Sequence, residues 1–435
     1  MNNNKKTDKK TLLITAAAAA GMLAATYIGS LFATMYLHNA FINNLQDRIR
    51  ESNPNVVIDE HDFESDGLFS IGKNFSIRNK EGTYGINVIL QSKFTVPFLE
   101  TTRIILNHPN GKELTCDGCD FQSFAAGGQV NISYFSNSYN GTVAIPSFST
   151  GKKISVMVNP GTVTFAGKFA DRAANFDVNL EGIKYTDSVN NIRRNLDKVT
   201  GMLSVSIVNN RFFVQTDGLQ IGQFYINDRL HSDKLVLSGI NLKIKNENSS
   251  RTDLIDSTVS ISAKSLSYDN EAYDAELNTN RIGVLVKFEN VDQGYLAAAA
   301  DIAKSLYAFL HEDNHRFDYN VLSYFADRNS NVKIDHIVMV STQSVGKFEI
   351  EKDSFLSFNG SGKQTMKERA DLGLKFKVTE QFLSDFPNHL RIKQLFITEN
   401  GWLVHGSTDS KDEYSTKLTI RNGQCTLGEY FLDNC

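Results

Sequence analysis

From Val56 onward, apolar and polar residues alternate with a period of two, the pattern of strands that turn one face inward. Val130, Ile132 and Tyr134 alternate with Asn131, Ser133 and Phe135. Asn140-Gly141 follows, ahead of Val143 and Ile145. Both residues tolerate positive φ, so the dipeptide is expected to turn a hairpin. Further strands are expected at 154–158, 176–185, 202–208, 211–216, 234–245, 259–262 and 281–289, with turns at Asn209-Asn210, Asp217-Gly218 and Asn248-Ser249-Ser250. The pattern then changes. Asp292 is placed to N-cap the run QGYLAAAADIAKSLYAFL, whose alanines and leucines favour helix, and Phe317 to Ala326 forms a shorter antiparallel partner. Thr379 is placed to cap a turn ending at Pro387. Strands resume at 334–340, 391–397 and 414–420, with a last hairpin at Asn422-Gly423.

The first fifty residues follow another rule. No formally charged side chain lies between Lys10 and Asp47. As helix, the apolar run Leu12 to Leu37 reaches roughly 39 Å, enough to cross a ~30 Å hydrocarbon core with tilt. A cleaved signal peptide has an apolar region of only about 7–15 residues, far shorter than this run. Lys5, Lys6, Lys9 and Lys10 precede the segment, so the positive-inside rule places the N-terminus in the cytoplasm. Phe41, Ile42, Leu45 and Ile49 continue the helix as an apolar stripe, and Ser52-Asn53-Pro54 stops it. The expected plan is a cytoplasmic tail (1–10), a transmembrane anchor (11–38), a helical stem (39–54) and a large β-rich ectodomain (55–291). A helical insert (292–326) and a β-rich C-terminal part (327–435) complete it. The fold class is mainly β or α+β, built from long antiparallel sheets.

Composition supports a packed chain: of 435 residues 41% are hydrophobic and 22% charged, ordinary globular values. The net charge of −4 includes the basic tail, so the remainder is more acidic still. A phosphate backbone needs clustered Lys and Arg, and nucleic acid is excluded as a partner on that ground.

Candidate chemistry is sparse. Cys116, Cys119, Cys425 and Cys435 form an even set, which in an oxidising compartment suggests two disulfides with three connectivities open. The local pairs 116–119 and 425–435 are the simplest. Cys116-Asp117-Gly118-Cys119 also has the spacing of a redox or zinc motif. Asp117-Gly118 favours a turn over the helix N-terminus that a redox cysteine needs, and no second CxxC supplies the other half of a zinc site. His311-Glu312-Asp313-Asn314-His315 is a literal HExxH, which on a helix sets two zinc-binding histidines on one side with Glu312 as general base. Here it falls at a helix exit, where Asp313 and Asn314 favour capping, and no third ligand is identifiable. A membrane-anchored zinc metalloprotease is therefore the alternative reading only. Gly360-Ser361-Gly362-Lys363 lacks the flanking glycine and hydroxyl of a phosphate-binding loop, since Ser357 and Gln364 stand there. No catalytic residue, metal or cofactor is expected.

Four stretches carry a family resemblance: the single N-terminal anchor, Glu64 to Ser70 after the stem, the strand–Asn-x-Asp–helix unit 281–302, and the closing hairpins 400–428. Together they resemble the YdgA-like family of bacterial envelope proteins, a domain of unknown function. His108-Pro109 departs from the His-Gly-Pro often found in that family. The resemblance implies an inner-membrane protein facing the periplasm and brings no catalytic residues. The expected function is non-enzymatic binding or scaffolding in the cell envelope, with a lipid or an envelope protein as partner.

Overall fold

The computed structural model describes residues 26–40, 42–44, 46–47, 50, 55–61, 67–80, 85–107, 125–150, 154–168, 171, 173–208, 211–229, 232–249, 251, 254–270, 275–292, 294–296, 298–299, 301–302, 319–342, 345–358, 365–385, 404–405, 413–422, 424–428 and 430–432. The chain divides into two compact units. The first comprises 1–148 and 161–176, the second 149–160 and 177–435.

The first unit is an antiparallel sheet with one helix on it. Its strands are β1 (Val56–His61), β2 (Ser70–Asn79), β3 (Gly85–Val96), β4 (Leu99–Asn107), β5 (Ala125–Ser133) and β6 (Ser138–Ile145). After the short strands β7 (Phe148–Thr150) and β8 (Ile154–Val158) comes β9 (Gly161–Lys168), which pairs with β6. Directly paired residues share a face, so the register passes one inward row from strand to strand. The row runs Phe75–Val88–Leu106–Ala126 across β2 to β5, and Val130–Gly141–Phe165 across β5, β6 and β9. The N-terminal helix, helical at 26–40 and again at 42–44, 46–47 and 50, lies on this face. Its buried residues are Leu31, Thr34, His38, Ile42 and Gln46, spaced three or four apart along one stripe. Ile42 completes a core cluster with Ile58, Phe75, Val88 and Leu90.

The second unit is built on longer strands. β10 (Ala173–Asp187) starts in the first unit and pairs with β8 in the second. β11 (Ile192–Val208), β12 (Arg211–Asp228) and β13 (Asp233–Asn248) form a meander. β13 then pairs with two strands in turn: β14 (Ile255–Ala263) along its second half and β15 (Ser265–Asn270) along its first. Gly239, at φ +59°, sits between the two pairings, where an added Cβ would meet the Lys264 side chain at 2.7 Å. Both partner strands rejoin on β16 (Ala275–Val291), which pairs with β17 (Asn331–Ser341). β18 (Lys347–Ile350) and β19 (Ser354–Phe358) connect β17 to β20 (Ala370–Thr379). β21 (Val404–His405), β22 (Glu413–Arg421), β23 (Gln424–Leu427) and β24 (Tyr430–Leu432) complete this part.

The main core of this unit lies where helical residues after β16 cover the sheet. Tyr295, Ala298, Leu322, Phe325 and Ala326 pack on Ile244, Ile255, Val259, Phe288 and Val291. Asp292 acts as expected: its Oδ1 accepts from Gly294 N at 2.8 Å. It also binds the segment that returns, the 3-10 turn Tyr319–Leu322 and helical turn Ser323–Asp327. Tyr324 OH donates to Oδ1, and Arg328 Nε and Nη2 both reach Oδ2 at 2.9 Å while the guanidinium lies 4.0 Å over the Tyr324 ring. Burial would raise the Asp292 carboxyl, but these donors outweigh it and hold it below the ordinary aspartate value. Thr379 likewise caps Glu380–Ser384, accepting from Phe382 N.

Two expected turns are not turns. Asn140 and Gly141 lie inside β6, and the chain reverses at 134–137, where Asn137 takes the positive φ of 53°. Gly141 is needed for close approach instead, since a Cβ there would sit 2.5 Å from Phe165 Cζ and 2.6 Å from Gln129 O. Asp217-Gly218 lies inside β12, at a register shift between Thr216 and Leu219. It forms a bulge, pinned by Thr216 Oγ1 bonding Met202 O at 2.7 Å. The pairs Val208–Arg211 and Arg421–Gln424 flank the expected Asn209-Asn210 and Asn422-Gly423 turns, whose residues 209, 210 and 423 lie outside the described residues. We expect Gly141→Ala to cost about 1–3 kcal/mol through overpacking, read as a lowered thermal midpoint.

Candidate functional site

The inner face of the first unit holds both a buried polar node and an apolar strip. The helix runs along β3 from the β3–β4 tip inward. Tyr27 OH bonds Thr95 O, Thr34 Oγ1 accepts from Phe98 N at 2.8 Å, and His38 meets the Phe94 ring edge-on with centroids 5.5 Å apart. Here the inward row of β3 and β4 becomes polar, with Ser92 paired to Thr102 and Glu100 two residues on.

His38 and Glu100 are 1% and 2% exposed. Nδ1 of the ring lies 2.8 Å from Glu100 Oε1, an ion pair when the ring is protonated, though not aligned as a hydrogen bond. Thr102 donates to the same oxygen, Ser92 and Thr102 hydroxyls are 2.7 Å apart, and Tyr134 OH donates to Oε2 at 2.7 Å. Burial pushes the Glu100 carboxyl up. The His38 ring and the two hydroxyls outweigh it, so the group sits below the ordinary glutamate value. Burial and the Glu100 charge together push the Tyr134 hydroxyl well above the ordinary tyrosine range. The node therefore holds an ionised carboxylate and a neutral phenol, an arrangement that ties helix to sheet.

Beyond the node the face is apolar again but less covered. On β6 and β9 the inward residues Tyr139, Val143, Ile145, Val163 and Phe165 are only half-buried, while outward Asn140, Thr142, Thr162 and Thr164 are exposed. Phe165 lies between Tyr139 and Phe176, with ring centroids 6.4 Å and 6.1 Å away. Gly141 and Gly167 leave room for the Phe165 and Tyr139 rings to lie across the sheet. The result is a strip of aliphatic and aromatic side chains bordered by hydroxyls and amides.

The residues singled out from sequence are not brought together here. His311, Glu312 and His315 lie outside the described residues, as do Cys116, Cys119 and Cys435. Cys425 stands on β23, opposite Ile420 and Leu432. Among the described residues no group of three or more His, Cys, Asp and Glu is set to hold a metal. Among them, too, no helix is long and apolar enough to cross a membrane, and the expected anchor lies mostly outside them. In the second unit an open depression of about 430 Å³ is lined by Val236, Ser238, Ser265, Ser267, Asn278 and Thr342 among others, with no acid or base in its lining. His38 and Glu100 are the residues that reading the sequence missed. The available signal was an imidazole in register with Leu31, Thr34 and Ile42 on the helix's inward stripe.

Comparison with protein-family models, curated proteins and solved structures found no match for this chain.

Proposed function

We propose that the chain is a non-enzymatic protein of the bacterial cell envelope that carries a lipid acyl chain on the strip over β6 and β9. In this reading the apolar N-terminal segment anchors the chain in the inner membrane with its tail in the cytoplasm. The two units face the periplasm, where the four cysteines pair in two disulfides. The YdgA-like resemblance fits the same placement.

The observation that carries the reading is the uneven cover on one continuous face. The helix fills that face over β2 to β4, whereas Val143, Val163 and Phe165 remain half-exposed on β6 and β9. An aliphatic chain suits such a strip, because it needs burial and offers no hydrogen bonds. Adding a strand from a protein partner would need a free edge, and β6 has none: β5 and β9 occupy its two sides.

Native mass spectrometry of the full chain, purified in mild detergent, tests this. A bound lipid is expected on the wild type and is expected to be lost from Val163→Asp, with circular dichroism confirming that the sheet persists. A wild-type protein free of lipid under conditions that retain lipid on a known carrier would refute the proposal.

A further inference from the structure

Three connections at one end of the first unit carry exposed apolar side chains; the two hairpin tips hold no charge, and the first connection holds Asp62, Glu64 and Asp66 ahead of Gly67. The segment before β2 ends in Leu68, 73% exposed, and Phe69; the β3–β4 tip carries Val96 and Phe98; and the β5–β6 tip carries Phe135, 89% exposed. From Gly67 to Gly72, Phe94 to Leu99 and Ser133 to Gly141 there is no Asp, Glu, Lys or Arg. All three gather around the start of the described helix. Phe32 meets Phe69 edge-on with ring centroids 5.7 Å apart, Phe69 O accepts from Phe94 N at 3.0 Å, and Phe98 O accepts from Tyr134 N at 2.8 Å. The helix adds its own outward residues to the same end: Ile28, Phe32 and Tyr36, the last 74% exposed.

Water-facing hairpin tips are ordinarily polar, and clustered exposed apolar groups mark a surface that meets another phase or partner. The β3–β4 tip is a two-residue turn, Pro97-Phe98, with Phe98 at φ 59°. Glycine or asparagine suits that position, so a phenylalanine there is held against backbone preference.

We propose that these tips form a collar seated in the interface of the periplasmic leaflet, around the point where the N-terminal segment leaves the bilayer. The proposal rests on the anchored reading. Chain length supports it: as helix, Leu12 to Phe32 measures about 31 Å, matching the ~30 Å hydrocarbon core. The membrane boundary then falls at Phe32, level with Phe69. Tyr27 and Tyr36 bracket that boundary, where amphipathic rings are favoured. The collar would fix the sheet upright on the membrane, with its far end away from the surface.

Fluorescence in vesicles tests this directly. Trp402 is the only tryptophan, so Trp402→Phe gives a dark background. In the full chain reconstituted into phosphatidylethanolamine–phosphatidylglycerol vesicles with brominated acyl chains, Phe135→Trp and, separately, Leu68→Trp should lose most of their emission. Lys80→Trp, at the opposite end of β2, should keep it. If tip tryptophans stay bright while the protein floats with the vesicles, the collar is refuted and the anchor stands; a protein partner for the tips is then favoured. If Lys80→Trp is quenched equally, the unit lies flat and the collar is refuted. If the protein does not float with vesicles at all, the anchored reading fails and the collar fails with it.

Discussion

Glu100→Ala should cost the first unit about 3–5 kcal/mol, because it removes the carboxylate that faces the buried His38 ring and accepts from the Thr102 and Tyr134 hydroxyls. The double variant His38→Leu/Glu100→Gln should cost much less. Leucine removes the imidazole, and the glutamine oxygen still accepts from Tyr134, so little is left unsatisfied. Denaturant unfolding of the two variants measures the difference, and equal losses would mean that the pair contributes nothing as a pair. The pH dependence has a definite sign. The Glu100 carboxyl is lowered from an ordinary value of 4.5 in the folded chain. Its contribution is therefore fully present above that value and is lost as pH falls through the lower, folded one. Unfolding midpoints of the wild type should drop more steeply below pH 4.5 than those of Glu100→Gln, and parallel curves would contradict the geometry.

Phe325→Ala is expected to be the costliest single truncation in the second unit, at about 3–5 kcal/mol. Phe325 has no exposed surface, stacks on Phe288 with ring centroids 6.1 Å apart, and meets Tyr324 edge-on at 5.0 Å. Losing the ring opens a cavity beneath the segment that Asp292 and Arg328 hold down. The surrounding strands β14 and β16 are tied by backbone ladders and cannot collapse into it. Phe325→Leu should retain roughly half of the lost stability, since most of the buried area returns. Thermal unfolding checks both, and an unchanged midpoint for Phe325→Ala would mean that this core is not packed as described.

Alternation and capping were the readable parts of the fold. Residues 154–158, 234–245 and 281–289 all fall inside observed strands, and Asp292 and Thr379 cap where their side chains allowed. The two mistaken turns share one cause. Asn-Gly and Asp-Gly fit a reversal, but they also fit a strand interior where a neighbour comes too close for a Cβ, or where a bulge is required. Phe165 crosses Gly141 from β9, more than twenty residues downstream, and no local window contains that contact. The site was less legible still. His38 sits beside Asn39 at the end of the apolar run, where its immediate neighbours do not mark it as inward, and Glu100 sits beside Thr101, Thr102 and Arg103, where alternation does not reveal which side faces inward.

What the sequence determined alone is local in origin: long strands from period-two alternation, capped turns from Asp292 and Thr379, and an N-terminal segment without formal charge. Tertiary structure decided which strands meet, and so which residues share a face. Only that pairing brings His38 against Glu100, lays Phe165 over Gly141, leaves β6 and β9 half-covered, and gathers three connections with exposed apolar side chains around one helix. Side-chain period is set within a few residues, whereas register and cover depend on partners tens of residues away.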